Sequence, residues 1–233
     1  MLSRACSLRC AFALLLAIVA ACAQLPEYAR PRTITSNDAE KLIATGFTYR
    51  QLTPRDFQAP SYPGEVPQHG ENIRAQSTVT IRITGDSKFR ITAHRVGERV
   101  QYVGGIDRLA FEAVMIPGKS WWNPKVEPAR AGYVLQHEQI HFAITELGAR
   151  KLTSDAREWT KKFSVTKDTP EEIFSEMKRV IRDKIDSALA ETQKRHLKFD
   201  KETSLFYSPQ WQAHWLETVE KELKQTQGEK QDR

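Results

Sequence analysis

Cysteine is almost missing from this 233-residue chain: Cys6, Cys10 and Cys22 are all it has. No thiol follows Cys22, which excludes disulfides and cysteine-ligated zinc from the folded part. Glycine and proline are sparse, at 11 each, and no glycine-rich phosphate loop, internal repeat or low-complexity tract occurs. Basic residues form no block. Lys and Arg are scattered among acids, as in Glu191-Thr-Gln-Lys194 and Lys198-Phe-Asp-Lys201, which describes solvated helix faces and excludes a nucleic-acid footprint. Hydrophobic residues at 40% and charged residues at 27% exclude a disordered chain and a multi-span membrane protein.

The one strongly apolar run, Ala11 to Ala21 (AFALLLAIVAA), is too short to span a bilayer comfortably. It follows Arg4 and Arg9 and precedes small residues, the pattern of a secretory leader over residues 1–21. Val19-Ala20-Ala21-Cys22 resembles a lipobox, which would make Cys22 the acylated first residue and tether the protein to a membrane. Ala21-Cys22-Ala23 also fits ordinary small-x-small cleavage. Either way the chain is expected to be exported, as a periplasmic protein or an outer-membrane lipoprotein, since Ala23 is not an inner-membrane retention Asp. The formal charge of +6 falls to +4 once Arg4 and Arg9 leave.

Residues 22–36 are polar and proline-containing and read as a tether, residues 37–224 as one domain, and residues 225–233 as a polar tail. Asn37 with Glu40 has the form of a weak helix start. Four prolines make Thr53–Pro67 a loop. Val79, Ile81 and Ile83 alternate with Thr80, Arg82 and Thr84, the period of a half-buried strand. Gly85-Asp86-Ser87 supplies a turn, and Phe89 to His94 repeats the alternation, predicting a hairpin. With Val100–Val103 and Ala110–Ile116 these predict a small, mostly antiparallel sheet of roughly three to five strands. A helix is predicted from Glu127-Pro128 to about Leu152. A second starts at Thr169-Pro170 and extends past His196, and a third starts at Ser208-Pro209. The fold class is α+β: a small sheet, then a helical half.

The first of these helices carries His137, Glu138 and His141, an H-E-x-x-H motif. Residues four apart stand one turn above each other, so both imidazoles can address one Zn2+ ion at about 2.1 Å. Glu138, turned about 100° from His137, can reach a water on that ion as general base. The histidines border an apolar stripe of Tyr133, Ile140, Ile144 and Leu147, at the edge of a core. Chance produces such a match in about one chain in a hundred of this length.

A third ligand is not given by the motif. The longer zinc signature needs a histidine where Leu147 stands. Carboxylates on the following helices include Glu172, Glu176, Asp200 and Glu202. His196 and Asp200 share a helix face and form the natural pair, one ligating and one orienting. His69, in the proline loop, and His94, at a strand end, read as surface residues; Trp121-Trp122 reads as packing under a loop.

Several segments together resemble a bacterial family of exported, predicted zinc-dependent proteases catalogued as a domain of unknown function. They are LTPRDF (Leu52–Phe57), FEAVMIPGKSWW (Phe111–Trp122), HEQIHFAITELGARKL (His137–Leu152) and FDKET (Phe199–Thr203), with a later Trp215. The resemblance implies a zincin-like fold, zinc and a peptide or protein substrate. Two positions depart from it: Pro54 replaces the family's Trp, and Leu205 replaces a family histidine. If that histidine binds metal, this chain has lost or relocated a ligand. The expected function is a zinc-dependent envelope peptidase; the alternative is a non-catalytic lipoprotein with a degenerate or purely structural metal site.

Overall fold

The computed structural model describes residues 46–63, 73–204 and 207–231. The leader, Cys22, the tether, the helix start at Asn37, His69 and Leu205 lie outside those residues. The chain runs through strands β1 (Phe47–Thr48), β2 (Ala75–Gln76), β3 (Val79–Ile83), β4 (Lys88–Val96), β5 (Arg99–Arg108), β6 (Phe111–Met115) and β7 (Trp121–Trp122). Helix α1 (Pro128–Lys162), strand β8 (Ser164–Lys167), and helices α2 (Pro170–Thr203) and α3 (Pro209–Gln231) follow. The class is α+β, with three small antiparallel sheets ordered β1-β6-β3, β2-β7 and β4-β5-β8. No helix among the described residues is long and apolar enough to cross a membrane.

Helix α1 is the spine. It begins at Pro128, whose missing N–H would have no intrahelical partner in any case, after an extended Glu127. It ends with Lys161 and Lys162 against the negative end of the dipole. It runs ten residues beyond the expected stop at Leu152, because Leu152, Ala156 and Thr160 continue a buried row at four-residue spacing. Between Ile140 and Ala149 it is buried almost all round, which a stripe on one face did not foretell. Phe142, Ala149, Leu152 and Ala156 face the strands with Ile81, Phe111, Ala113 and Met115. Ile140, Ala143, Ile144 and Leu147 face Phe199, Trp215, Val219 and Leu223 of the other helices. Each large side chain buried this way stabilises the fold by about 1.5–3 kcal/mol.

Helix α2 starts with a reciprocal cap: Glu172 N–H donates to Thr169 Oγ1 at 3.3 Å and Thr169 N–H to Glu172 Oε2 at 3.1 Å, with Pro170 first in the helix. It continues past His196 to Thr203, as expected. Gly148 of α1 sets how close α2 comes, since a Cβ there would run into the Thr192 methyl. Helix α3 extends through Gln231, into the stretch read as a polar tail, and Thr226 accepts from Arg150 Nη1 at 3.0 Å.

The strands pair differently from expectation. β3 and β4 form no hairpin: β3 pairs with β6 (Val79 opposite Met115, Ile83 opposite Phe111), and β4 pairs with β5. Pairing with the buried β6 covers Ile81, whereas β4 is largely exposed and has no core face to offer. β5 runs past the expected end at Val103, and Gly104 and Gly105 lie inside it. A Cβ on Gly104 would collide with Ile173 and Met177, so the glycine admits the first turns of α2 against the sheet. Trp121 and Trp122 form β7, their rings against Tyr62 (5.6 Å) and Phe57 (5.4 Å).

The LTPRDF run is a clamp on α1. Asp56 receives both Arg50 (Nη1 at 2.9 Å) and Thr53 N–H (2.7 Å). Gln139 takes Leu52 N–H at 2.7 Å and donates to Arg50 O at 3.2 Å. A Gln139→Leu variant strands the Leu52 N–H, and chemical denaturation should show a loss of about 1–3 kcal/mol. No loss would show that water replaces the amide.

Candidate metal centre

Three ligand atoms converge on one point. His137 Nε2 and His141 Nε2 are 3.1 Å apart, one turn apart on α1 as their spacing requires. Asp200 Oδ1 of α2 lies 3.2 Å from the first and 3.0 Å from the second. Hydrogen bonds can join the three only if both imidazoles carry a proton on Nε2, and two N–H groups then face each other at 3.1 Å. A cation can serve all three: for a triangle of this size a point about 2.1 Å from each atom lies about 1 Å off its plane, within the range of metal–nitrogen and metal–oxygen bonds. The cluster could therefore hold a metal ion.

Phe199 is the floor of the site. Fully buried, it stacks on the His137 ring (4.4 Å, 27°), meets His141 edge-on (5.0 Å, 75°) and rests on Trp215 (5.4 Å). Sequence reasoning missed it, although its place beside Asp200 in FDKET was a signal. Trp215 Nε1 donates to Glu202 at 2.7 Å, which keeps that carboxylate away from the cluster. Glu172 is spent on the α2 cap and Glu176 on Arg179. His94 lies on exposed β4 and His214 beside exposed Trp211, so neither joins the site.

His196 stands behind His141 and outside the triangle. Its Nδ1 is 2.9 Å from His141 Nδ1, and its Nε2 is 3.3 Å from Thr145 Oγ1, which donates to His141 O at 3.2 Å. With His141 Nε2 committed to a cation, its Nδ1 carries the proton and donates to His196 Nδ1, and His196 Nε2–H donates to Thr145. This needs a neutral His196. Burial, joined by the charge of His141, lowers its pKa to about 4. Replacing His196 by leucine should weaken metal binding about 10–100-fold in competition with a chromophoric chelator, whereas His196→Asn, which keeps an acceptor near Nδ1, should retain most of it. Equal affinity in both variants would remove this role.

Charge around the pair favours a cation. Burial opposes protonation of His141, but the Asp200 hydrogen bond and the negative charges of Glu138 and Asp200 outweigh it and raise its pKa above 6.5. Burial likewise works against ionised Asp200, yet hydrogen bonds from His137 and His141 hold its carboxyl well below the usual carboxylate range. A raised His141 keeps its proton below its own pKa and loses it as pH rises, so proton and metal compete on the acid side. Metal affinity should fall about tenfold per pH unit below that pKa and level off only above pH 6.5. An affinity flat from pH 5 to 8 would show that His141 is no ligand.

Glu138 is buried at 4% exposure and anchored: its Oε2 accepts from Ser77 N–H, between β2 and β3, at 2.8 Å. It shares with the metal triangle the wall of a cleft of about 1000 Å³. Gln76 Oε1 and Ser77 Oγ, in the same wall, are shielded from solvent without a hydrogen-bond partner among the described residues.

Comparisons of the chain with protein-family models, with curated proteins and with solved structures find no match.

Proposed function

We propose that this protein is a zinc-dependent hydrolase, a peptidase of zincin-like architecture acting in the bacterial cell envelope. The carrying observation is that three ligand atoms converge in the wall of the cleft that also holds Glu138, with no fourth protein ligand joining them among the described residues. Structural zinc sites are closed by four protein ligands, while catalytic ones keep a position open. The two nitrogens and one carboxylate oxygen suit zinc, and Asp200 supplies the ligand that Leu205 does not.

When bound, the metal would acidify a water and polarise the scissile carbonyl. Glu138 takes the proton of the attacking water on Oε1, since Oε2 is held by Ser77 N–H, and delivers it to the leaving amine nitrogen as the C–N bond breaks. The His196–Thr145 chain keeps the His141 imidazole in place and in the tautomer that presents Nε2. An apolar leader ending just before Cys22 supports an envelope location, with a lipid anchor if Cys22 is acylated.

The test is direct. Purified protein should carry about one equivalent of zinc, lose it on His137→Ala, and cleave a pooled peptide library in a chelator-sensitive way. Less than about half an equivalent, unaffected by the substitution, would sink the proposal. A second reading is favoured by the ligands coming from two helices: a cation that pins α2 to α1 for stability alone. Chelation would then lower the melting temperature while no peptide was cut.

A further inference from the structure

The cleft extends along α1 on both sides of the metal triangle. Arg130 and Tyr133 line it before His137, and Thr145 lines it after His141. From Arg130 to Thr145 the helix advances fifteen residues, about 22 Å at 1.5 Å each. That is the length of six or seven residues of extended chain at about 3.3 Å each. A site this long with its chemistry in mid-course accepts the interior of a polypeptide, not its terminus.

The two arms differ in charge. Glu138 bonds Ser77, Glu146 bonds Ala113 opposite Ile81, and Thr153 bonds Phe111 opposite Ile83. Steps forward along α1 therefore match steps forward along β3, and the helix and the β2–β3 segment run side by side in the same direction. Carried backward, that alignment sets Arg130, eight residues or about 12 Å before Glu138, near Arg74, three residues or about 10 Å before Ser77. Both line the cleft, with Tyr133 and Tyr207 beside them.

Arg74 belongs to an anchored segment, as Arg74 O accepts from Asn123 N–H at 2.9 Å and Ile73 O from Asn123 Nδ2 at 2.9 Å. Its guanidinium pairs with no carboxylate among the described residues. Arg130 sits 5.6 Å over the Tyr207 ring, and its one ion pair among the described residues is with Glu127, at 3.6 Å with both side chains more than half exposed, a contact worth little. The opposite arm is uncharged: Val79, Thr145, Leu189, Thr192 and Gln193.

We infer that the cleft binds an extended polypeptide segment carrying an acidic side chain about three residues from the scissile bond, held by Arg74 and Arg130, with neutral residues on the other side. This rests on the hydrolase reading. It makes the enzyme endo-acting and directs it to acidic stretches of its substrates.

The experiment uses the zinc-loaded protein and a pooled library of decapeptides blocked at both ends, with cut sites mapped by mass spectrometry. Internal cleavage is expected, with Asp and Glu enriched about fivefold at the third position on one side of the bond, the scale of a partly exposed ion pair. In the Arg74→Ala/Arg130→Ala double variant the acidic-to-neutral rate ratio should fall towards one. In Arg74→Glu/Arg130→Glu it should invert in favour of lysine. Cleavage without acidic enrichment, or enrichment that survives both variants, overturns this inference and leaves the hydrolase reading standing. No cleavage of any blocked peptide overturns both.

Discussion

Replacing Asp200 by alanine is expected to weaken zinc binding by at least about a hundredfold while the helices stay folded. Structural zinc sites bind with about 10 kcal/mol or more, so one of three protein ligands carries roughly 3 kcal/mol of it, or more than two decades in affinity. The geometry makes Asp200 the decisive position, because among the described residues its Oδ1 is the one carboxylate oxygen that lies within 3.2 Å of both imidazole nitrogens. Asp200 is also partly exposed, so alanine opens no cavity in the core. Metal titration by calorimetry, with circular dichroism as the fold control, measures the effect. Wild-type affinity in the alanine variant would mean that another residue completes the site, and would return the third ligand to the residues outside the described part, Leu205's neighbourhood included.

The second large effect is expected from Glu138→Gln: hydrolysis falls about 10²–10⁴-fold and zinc content is unchanged. Glutamine keeps the shape of the side chain and can still accept the Ser77 N–H bond through its carbonyl, so the wall of the cleft should survive. It cannot take a proton from water. A rate and zinc content both preserved would remove Glu138 from catalysis; zinc lost together with activity would show a structural role. The combination with Asp200→Ala separates the two duties, since one variant keeps metal without chemistry and the other loses the metal itself.

The legible part of the site was the part that one helix builds. His137 and His141 meet because residues four apart on any α-helix share a face, and the run from Pro128 onward allowed nothing else. Asp200 and His196 were readable as a pair for the same reason, lying four apart on α2. Their division of labour was not, because it depends on a rotation of α2 against α1 that Phe199 fixes from below and the Gly148–Thr192 contact fixes from the side. Phe199 itself looked like any buried aromatic until the two imidazoles were placed on it.

In the sheet the same division holds. Alternation marked β3, since it reports only that one face is buried, while the choice of β6 over β4 as its partner follows from which strand has a buried face to share. The glycine pair of β5 lies just past the expected strand end at Val103; glycine serves both turns and close approaches, and only the position of Ile173 and Met177 distinguishes the uses.

Local order thus lay in the amino-acid sequence by itself: the helix starts at proline and a histidine pair one turn apart, both set by covalent geometry and short-range hydrogen bonds. Tertiary packing alone decided that Asp200 joins that pair and that His196 stands behind it. Those contacts join residues tens of positions apart, and their geometry comes from how close two helices can pack.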